Sequence, residues 1–552
     1  MRKNKKGWRY VVLVGLLGLV LMAFAPVRDK YFEITKSIEL FANAYKQLNA
    51  KYVDEIDPAD LMKRGLDAMT KSLDPFTRFI SETDVENYRL EIDGKYDGIG
   101  AKVRLIDDYV TITSMYKDSP AKRAGMRVGD QVLSIDGKDL KGKKTTEVTR
   151  IMRGAPGSKV RVRVRNIGDQ QERTVEVTRG EVNIPNVPYS GIVRDSIGYI
   201  NLTTFTQGAG KNVGKALQKM KQENGVKGVI LDLRNNGGGL LREAVNVVNV
   251  FNPARQLVVF IKGRLPDSRK DFYTPHAAID AKIPLVVLVN GHSASASEIV
   301  SGVTQDLDRG VLMGQRTYGK GLVQNTFDIG YNSKIKLTTA KYYIPSGRCI
   351  QSVYYEHGER RELADSLRTL YRTQKGRKVF GGGAVTPDVR LDRIEPRAVV
   401  KDLLRKYLVI KFVSKEWNTL DKLCDSTGCR DDIYPKFIEY LKARHYTFNS
   451  KTKQLLADLK TKAKEEGLDE ALSQNIQQLE AKLPEEQWML LDKAKEDIIH
   501  RIEQEIIGRK YYIEGVTRYR LSYDPEVKKA IELLKNKDVY ESILIPDPVE
   551  HQ

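Results

Sequence analysis

The chain has 552 residues, more than one hydrophobic core usually serves, so its length predicts three or more folding units. Hydrophobic residues make up 41% of the sequence, which argues against a mainly disordered chain, and charged residues make up 30%, which indicates large solvated surfaces. The formal net charge is +20, but basic residues are interleaved with acidic ones and do not alternate with aromatic residues, so a nucleic-acid-binding protein is not favoured.

The N-terminus has the pattern of an export segment. Basic residues from Arg2 to Arg9 precede an uncharged stretch, Tyr10 to Ala25, and Pro26 follows it. Ala23-Phe24-Ala25 resembles a signal-peptidase site, but a proline directly after the cut generally blocks cleavage, so an uncleaved anchor is favoured over a removed signal. The stretch is near the short limit of about 17 residues for crossing a bilayer, and its positive flank predicts a cytoplasmic N-terminus with the body of the chain outside.

The three cysteines bear on this export prediction, because disulfides are permitted outside the cytoplasm. Cys424 and Cys429 could close a small loop or remain unpaired thiols, and Cys349 has no obvious partner. A metal site at the pair is disfavoured because no second Cys/His pair lies close in the sequence. We therefore expect no metal ion.

Two different patterns follow the export segment. Up to about Ser81 apolar residues recur at helical spacing, for example at Ile38, Phe41 and Tyr45, and predict short helices. From about Gly94 short apolar alternations broken by Gly, Asp and Pro predict strands joined by tight turns.

A glycine-containing loop opens this β-rich part, with the sequence Gly98-Ile99-Gly100-Ala101. Glycines there let the backbone turn so that successive amides point at one anion, although an ordinary turn would use the same residues. Further on, residues 124–137, AGMRVGDQVLSIDG, place glycines at turns, and residues 85–180 as a whole resemble a PDZ domain. The resemblance implies that Gly98, Ile99, Gly100 and Ala101 bind a peptide's terminal carboxylate, while the adjoining strand edge pairs with the extended peptide.

Residues 181–392 alternate strand and helix patterns and predict a mixed α/β core. Two turns in this core each follow an apolar strand pattern and open a helix pattern. The first turn, NNGGG at residues 235–239, contains glycines whose backbone amides could bind an anion or an oxyanion, or could only cap the following helix. The second, SASASE at residues 293–298, places serines where a helix dipole and free amides favour developing negative charge.

Lys320 lies between two glycines, 25 residues after Ser295. A serine hydroxyl is a poor nucleophile until a base removes its proton, and a lysine can act as that base only when neutral. Lowering a lysine pKa from about 10.4 to near 7 costs roughly 4.6 kcal/mol and requires burial or positive neighbours. These considerations do not choose the nucleophile among Ser293, Ser295 and Ser297.

Two rival interpretations use the same region. His292 lies three residues before Ser295, and histidine is the commoner partner of a catalytic serine, but no recognised motif supplies an acid to orient it. Residues 314–320 have the phosphate-loop spacing G-x-x-x-x-G-K, but Gly321 stands where a Ser or Thr would hold magnesium, and a strand pattern follows instead of a helix. Both interpretations are therefore disfavoured.

With these motifs the chain resembles the carboxyl-terminal processing proteases, also called tail-specific proteases, which carry a PDZ domain followed by a Ser/Lys core. The resemblance extends from about Tyr45 to Asp388. It implies that Ser295 is the nucleophile, that Lys320 is the base and that Gln324 orients this lysine. No metal or organic cofactor is implied.

The same resemblance implies an oxyanion hole formed by the amides of Ala296 and Gly238. Asp306 matches an acidic position found in some members. Because it follows Ser295 by 11 residues in a predicted helix, about 16 Å along the axis, we expect a structural charge or one that acts through a neighbour.

Beyond Asp392 the pattern is long, charged and helical. Lys and Glu recur at spacings of three and four, with Leu and Ile on the opposite stripe, and predict a packing or interaction domain. Homo-oligomerisation is one use of such a face, although a charged helical face is more often only solvated.

Together these patterns predict a multidomain α+β protein. Its expected parts are a signal anchor at 1–28, an N-terminal helical region at 29–84, a PDZ β-barrel module at 85–180, a mixed α/β protease core at 181–392 and a helical C-terminal domain at 393–552. We expect a serine endopeptidase of the bacterial cell envelope, on the periplasmic side of the inner membrane or exported after cleavage, that acts on proteins with free C-termini. The alternative is a non-catalytic PDZ scaffold that binds peptides in envelope quality control.

Overall fold

The computed structural model describes residues 31–356, 359–429, 432–448 and 450–546. The predicted signal anchor at 1–28 lies outside these residues. Among the helices of the described ranges, none combines the length and the apolar character needed to cross a bilayer.

The N-terminal region is mainly helical. Asp57 caps its second helix by accepting a hydrogen bond from the Ala59 amide at 2.8 Å, and Pro58 occupies the first turn, where a missing N–H costs nothing. The elements are α1 (residues 31–51), α2 (Pro58–Lys71), β1 (Arg78–Ile80) and α3 (Val85–Asp93).

A β-rich module follows. In its strand over Lys159–Asn166 the valines are buried and the lysine and arginines between them point outward, as expected for a strand with one covered face. The main sheet has the order β3-β4-β5-β7-β8, with β6 beside β5, while β2 and β9 pair as a two-stranded ribbon where the chain enters and leaves the module. The elements are β2 (Lys95–Gly98), β3 (Ala101–Ile106), β4 (Tyr109–Met115), α4 (Pro120–Arg123), β5 (Asp130–Ile135), β6 (Lys138–Asp139), α5 (Thr145–Met152), β7 (Lys159–Asn166), β8 (Glu172–Thr178) and β9 (Gly180–Asn183).

The third part is a mixed α/β core with two sheets. The central sheet has the order β10-β11-β12-β15-β16-β23 and is parallel except for β10, and the second contains β1-β18-β13-β14, with β17 also paired to β18. The elements are β10 (Tyr189–Arg194), β11 (Ile197–Asn201), α6 (Ala209–Asn224), β12 (Gly228–Asp232), α7 (Leu241–Phe251), β13 (Leu257–Gly263), β14 (Lys270–Tyr273), β15 (Leu285–Val289), α8 (Ala296–Asp306), β16 (Val311–Gly314), β17 (Leu322–Gly330), β18 (Ser333–Tyr343), β19 (Val353–Glu356), β20 (Glu359–Glu362), β21 (Leu370–Arg372), β22 (Lys378–Phe380) and β23 (Val389–Arg390).

The C-terminal part is mostly helical and has an apolar core of its own. The predicted fold class, a multidomain α+β protein with these four kinds of part, is confirmed. The elements are α9 (Ala398–Arg405), α10 (Leu408–Lys415), α11 (Trp417–Leu423), β24 (Cys424–Asp425), β25 (Gly428–Cys429), α12 (Tyr434–Ala443), α13 (Lys451–Glu465), α14 (Asp469–Lys493), α15 (Lys495–Leu521), α16 (Pro525–Lys535) and α17 (Lys537–Ile543).

The structure decides between the two alternatives for the cysteines. Cys424 and Cys429 form a disulfide that links β24 to β25, so the small closed loop is present. Cys349 is a free, partly buried thiol in the mixed α/β part.

The last two helices cover one face of the central sheet. Strands β12 and β15 are buried on both faces, because α6, α7 and α8 pack against alternate residues such as Leu231 and Val287, and α16 and α17 pack against the residues between them, such as Ile230 and Val286. The Tyr540 hydroxyl of α17 also bonds the backbone of β15. The end of the helical domain therefore completes the layered core of the protease part.

Candidate active site

Three loops at one edge of the central sheet form the candidate site. They are residues 233–240 after β12, 290–295 after β15 and 315–321 after β16. These three strands are neighbours and parallel, so their carboxyl ends lie together at the edge where open α/β sheets usually bind ligands.

Ser295 lies at the N-cap of α8, directly after the loop that leaves β15. Its backbone has φ 57° and ψ −113°, a conformation that is unfavourable for a residue with a side chain. Such strained positions at a strand-to-helix turn are typical of exposed nucleophiles.

The structure distinguishes the three serines of the SASASE motif. The Ser293 hydroxyl donates to the Leu233 carbonyl at 2.8 Å, and the Ser297 hydroxyl donates to the Asn236 carbonyl at 2.8 Å. Both side chains are fully buried, whereas Ser295 is partly exposed. Ser295 is therefore the serine of the motif whose hydroxyl a substrate can approach.

A buried carboxylate, Glu298, holds the serine loop and the lysine loop together. Its Oε2 accepts the Ser295 amide at 2.8 Å and the Lys320 amide at 2.9 Å. Its Oε1 accepts the Thr317 hydroxyl at 2.6 Å and the Gly319 amide at 2.7 Å. One oxygen atom thus fixes the backbones of Ser295 and Lys320 next to each other.

Glu298 was not identified from the sequence, although a signal was present. Ser295-x-x-Glu298 is the capping-box pattern, in which the acid at the third helical position binds the amide of the N-cap residue. Burial raises the pKa of Glu298 to about 7, while its hydrogen bonds, foremost that from Thr317, favour the charged form.

Lys320 has the electrostatic environment that a lysine base requires. Its partial burial, and secondarily the charge of Lys336, lower its pKa to about 8, whereas Asp74 acts in the opposite direction. Its Nζ lies 4.1 Å from the centroid of the Phe76 ring. Within the described part of the chain, no hydrogen bond joins this amine to Ser295.

The predicted orienting residue and oxyanion donors lie around these two groups. The side-chain amide of Gln324 donates a hydrogen bond to the Thr338 hydroxyl at 3.3 Å. That Gln324 orients Lys320 therefore stays a prediction. Ala296 is the first residue of α8, where an amide has no acceptor within the helix. The Gly238 amide donates to the Asn236 side chain at 2.9 Å and must be released to bind an oxyanion.

The close approach of Gly238 to the serine explains why this position lacks a side chain. Its φ is 101°, and a Cβ here would lie 2.8 Å from the Ser295 Cβ and 2.9 Å from the Ala296 nitrogen. The glycine-rich loop and the serine loop are therefore in direct contact.

Asp306 lies at the far end of α8 from Ser295. It is fully buried, pairs with the buried Arg348 at 2.8 Å and accepts the Ser346 amide at 2.9 Å. These contacts join α8 to the segment after β18. They are consistent with the expected structural role of the Asp306 charge.

The structure also places the residues of the two disfavoured interpretations. His292 is exposed, and its amide donates to the Asn290 side chain at 3.1 Å. Lys320 is followed by the strand β17, not by the helix that a phosphate loop needs. Among the described residues, no cluster of His, Cys, Asp and Glu side chains could hold a metal ion.

The predicted carboxylate-binding loop joins β2 to β3. Gly100 has φ 76°, and a Cβ there would lie 2.5 Å from the Ser119 Cβ, so the turn requires glycine. The Ile99 carbonyl accepts a hydrogen bond from the Ala121 amide at 2.7 Å, and the Gly100 carbonyl accepts one from the Tyr116 amide at 3.1 Å. Both carbonyl groups therefore point towards the body of the module. Strand β3 is the terminal strand of its sheet in the described residues, so its outer edge can pair with a peptide.

Comparisons with known proteins identify the family and the domains of the chain. Residues 196–356 match Peptidase family S41, residues 111–166 match the PDZ domain, and residues 399–534 match the C-terminal helical domain of probable PDZ-proteases. A probable CtpA-like serine protease of Staphylococcus haemolyticus is 33% identical over 359 residues, which cover 62% of this chain and 71% of that protein.

Two further proteins are similar to this chain. A carboxy-terminal-processing protease of Bartonella bacilliformis is 30% identical over 338 residues, which cover 61% of this chain and 77% of that protein. Among solved structures, the photosystem II D1 C-terminal processing protease is 28% identical, with 63% of this chain and 86% of that chain covered and a TM-score of 0.35.

Proposed function

This chain belongs to Peptidase family S41 and is a serine-type peptidase, and we propose that it is an endopeptidase in which Ser295 is the nucleophile and Lys320 the general base. The observation that carries the proposal is the pair of hydrogen bonds from the amides of these two residues to one oxygen of Glu298. They keep the two backbones adjacent although 25 residues separate them in the chain.

In the proposed reaction the neutral amine of Lys320 removes the proton of the Ser295 hydroxyl, and the oxygen attacks the scissile carbonyl. The amides of Ala296 and Gly238 stabilise the oxyanion at the start of α8. The protonated lysine returns its proton to the leaving amine, and water then hydrolyses the acyl-enzyme.

The electrostatics of Lys320 support this role. With a pKa of about 8, a substantial fraction of the amine is neutral near pH 8, which is not so for a solvated lysine. The Nζ lies beside the Phe76 ring and makes no hydrogen bond to Ser295 among the described residues, so the proposed proton transfer requires the amine to approach the serine hydroxyl.

The PDZ domain supports a preference for protein C-termini. Its glycine loop and the free edge of β3 provide the two features that capture a terminal carboxylate and an extended peptide. We place the protein in the bacterial cell envelope, on the periplasmic side of the inner membrane, because of the basic and apolar sequence of residues 1–28.

The test compares four forms of the full chain on an unfolded protein with an apolar C-terminus, with products identified by mass spectrometry. The wild type and His292→Ala are expected to cleave it, and Ser295→Ala and Lys320→Ala are expected to leave it intact. A fluorophosphonate probe should label the wild type on the peptide that contains Ser295. Amidation of the substrate's C-terminus should slow cleavage, because it removes the carboxylate that the PDZ loop binds.

Two outcomes would contradict the proposal. If the wild type binds the substrate but leaves it intact, the chain is a peptide-binding scaffold. If His292→Ala loses as much rate as Lys320→Ala, histidine is the base.

A further inference from the structure

The first turn of α16 reaches the edge of the sheet that carries the candidate site. Asp524 caps this helix by accepting the Glu526 and Val527 amides at 3.0 and 3.2 Å. The helix packs on the face of the sheet opposite α8, so its first turn reaches the site loops from the face that α8 does not cover.

Glu526 in this turn contacts two of the three loops. Its Oε2 pairs with the Arg234 guanidinium at 2.5 Å, and its Oε1 accepts a hydrogen bond from the side-chain amide of Gln315 at 2.6 Å. Arg234 comes directly before the NNGGG loop, and Gln315 begins the loop that leads to Lys320. One carboxylate from the end of the chain thus joins the oxyanion loop to the lysine loop.

The arginine in this contact is held by three carboxylates. It pairs with Asp232 at 2.6 Å, with Asp524 at 2.9 Å and with Glu526, and its side chain is only 11% exposed. Asp232 also accepts the Tyr199 hydroxyl at 2.6 Å. Because a buried ion pair depends on its full set of hydrogen bonds, the geometry of this cluster is restricted to a narrow range.

Apolar packing also attaches α16 to the sheet. The helix buries Val527, Ala530 and Ile531 against apolar residues of the strands, and this packing continues into α17. The two carboxylates that contact Arg234, those of Asp524 and Glu526, lie at the end of the helix nearest the site.

We propose that Glu526 is a positioning residue for the peptidase reaction, because it sets the spacing between the oxyanion loop and the loop of Lys320. It complements Glu298, which joins the serine loop to the lysine loop from inside the core. In this proposal the C-terminal helical domain contributes a residue that positions the active site. This inference rests on the proposed function, in which both loops act on the same substrate carbonyl.

The test measures kcat, KM and the rate of fluorophosphonate labelling for the full chain. Glu526→Ala should lower kcat per labelled serine by about tenfold to a hundredfold, because small displacements of catalytic groups have effects of this size. The labelling rate should fall with it, whereas KM and the affinity for a C-terminal peptide should stay unchanged. Glu526→Gln keeps an acceptor for Gln315 and should recover part of the loss.

Gln315→Ala provides a second variant that leaves the ion pairs intact. It removes the hydrogen bond from the lysine loop to Glu526, together with the 3.2 Å bond from the same side chain to the Leu391 carbonyl, and it should also lower kcat. It also serves where Glu526→Ala yields little folded protein.

Tyr540→Phe is the matched control on the same face of the sheet. Its hydroxyl bonds the Leu285 amide and carbonyl at 2.9 and 3.1 Å, at the opposite end of the strand from the site loops. This variant should lower the melting temperature and leave kcat per labelled serine unchanged.

Equal losses of kcat per labelled serine in Glu526→Ala and Tyr540→Phe, or no loss in Glu526→Ala and Gln315→Ala, would refute the positioning role. Both of these comparisons require that the wild-type protein cleaves the substrate. An inactive wild type would instead refute the proposed function, and this inference with it.

Discussion

The aromatic ring beside the proposed base offers a direct test of how the protein controls its protonation. The Phe76 ring centroid lies 4.1 Å from the Lys320 Nζ, and a ring at this distance stabilises the charged amine by about 0.5–2 kcal/mol. At 1.36 kcal/mol per pH unit, this stabilisation raises the lysine pKa by about 0.4–1.5 units. Phe76→Leu removes the ring but keeps an apolar neighbour, so the pKa should fall by about that amount from its value near 8.

Phe76→Ala removes the same ring, but its net effect on the lysine pKa should be opposite, because the loss of burial should outweigh the loss of the ring. Burial is the main cause of the lowered lysine pKa, and a smaller side chain admits water around the amine. The pKa should then rise towards the ordinary value of about 10.4.

The assay is the pH dependence of kcat/KM. Because the base must be neutral, the rate rises with pH through the lysine pKa and is level above it. This rise should move to lower pH in Phe76→Leu and to higher pH in Phe76→Ala. Phe79→Leu is the control, since its ring lies near Lys63, at 5.8 Å, and not near Lys320. Shifts of the same sign in the two Phe76 variants, or a shift in the control, would refute the reasoning.

Three further predictions concern other buried groups. Glu298→Gln replaces one of the two acceptor oxygens by an NH2 group, which then faces at least one backbone N–H donor, at a cost of about 1–3 kcal/mol for each donor left unpaired. We expect kcat to fall at least about tenfold, as measured by cleavage and probe labelling. Asp306→Asn leaves Arg348 buried without its charge partner and should lower the free energy of unfolding by about 3–5 kcal/mol in denaturant titrations. Serine at both Cys424 and Cys429 should lower it by about 2 kcal/mol, the loop-closure value for a short loop, and leave kcat unchanged.

The local parts of the site were predictable from the sequence. The sequence shows an apolar strand pattern, then a turn of small residues and then a helix pattern, which together predict Ser295 at the N-terminus of a helix. The structure has this order, with Ser295 at the N-cap of α8. Glycines at positions 98 and 100 predicted a turn, and Gly100 has the positive φ that such a turn uses. Patterns of this kind depend on neighbours within a few residues, so one sequence is enough to reveal them.

The choice among the three serines could not be made in this way. It depends on which hydroxyls meet the carbonyls of the loop after β12, about 60 residues earlier in the chain. The same holds for Glu298, because the capping pattern predicts its bond to Ser295 but not those to the loop of Lys320.

Periodicity identified the amphipathic helices of the C-terminal part and the apolar strands of the core, since both follow from the spacing of side chains along one segment. It did not identify what covers each apolar face. That α16 and α17 close the second face of the central sheet, and that Glu526 reaches Arg234 across 292 residues, follows only from the folded arrangement. Contacts and pKa values of this kind arise from burial among groups remote in the chain, which a linear pattern does not encode.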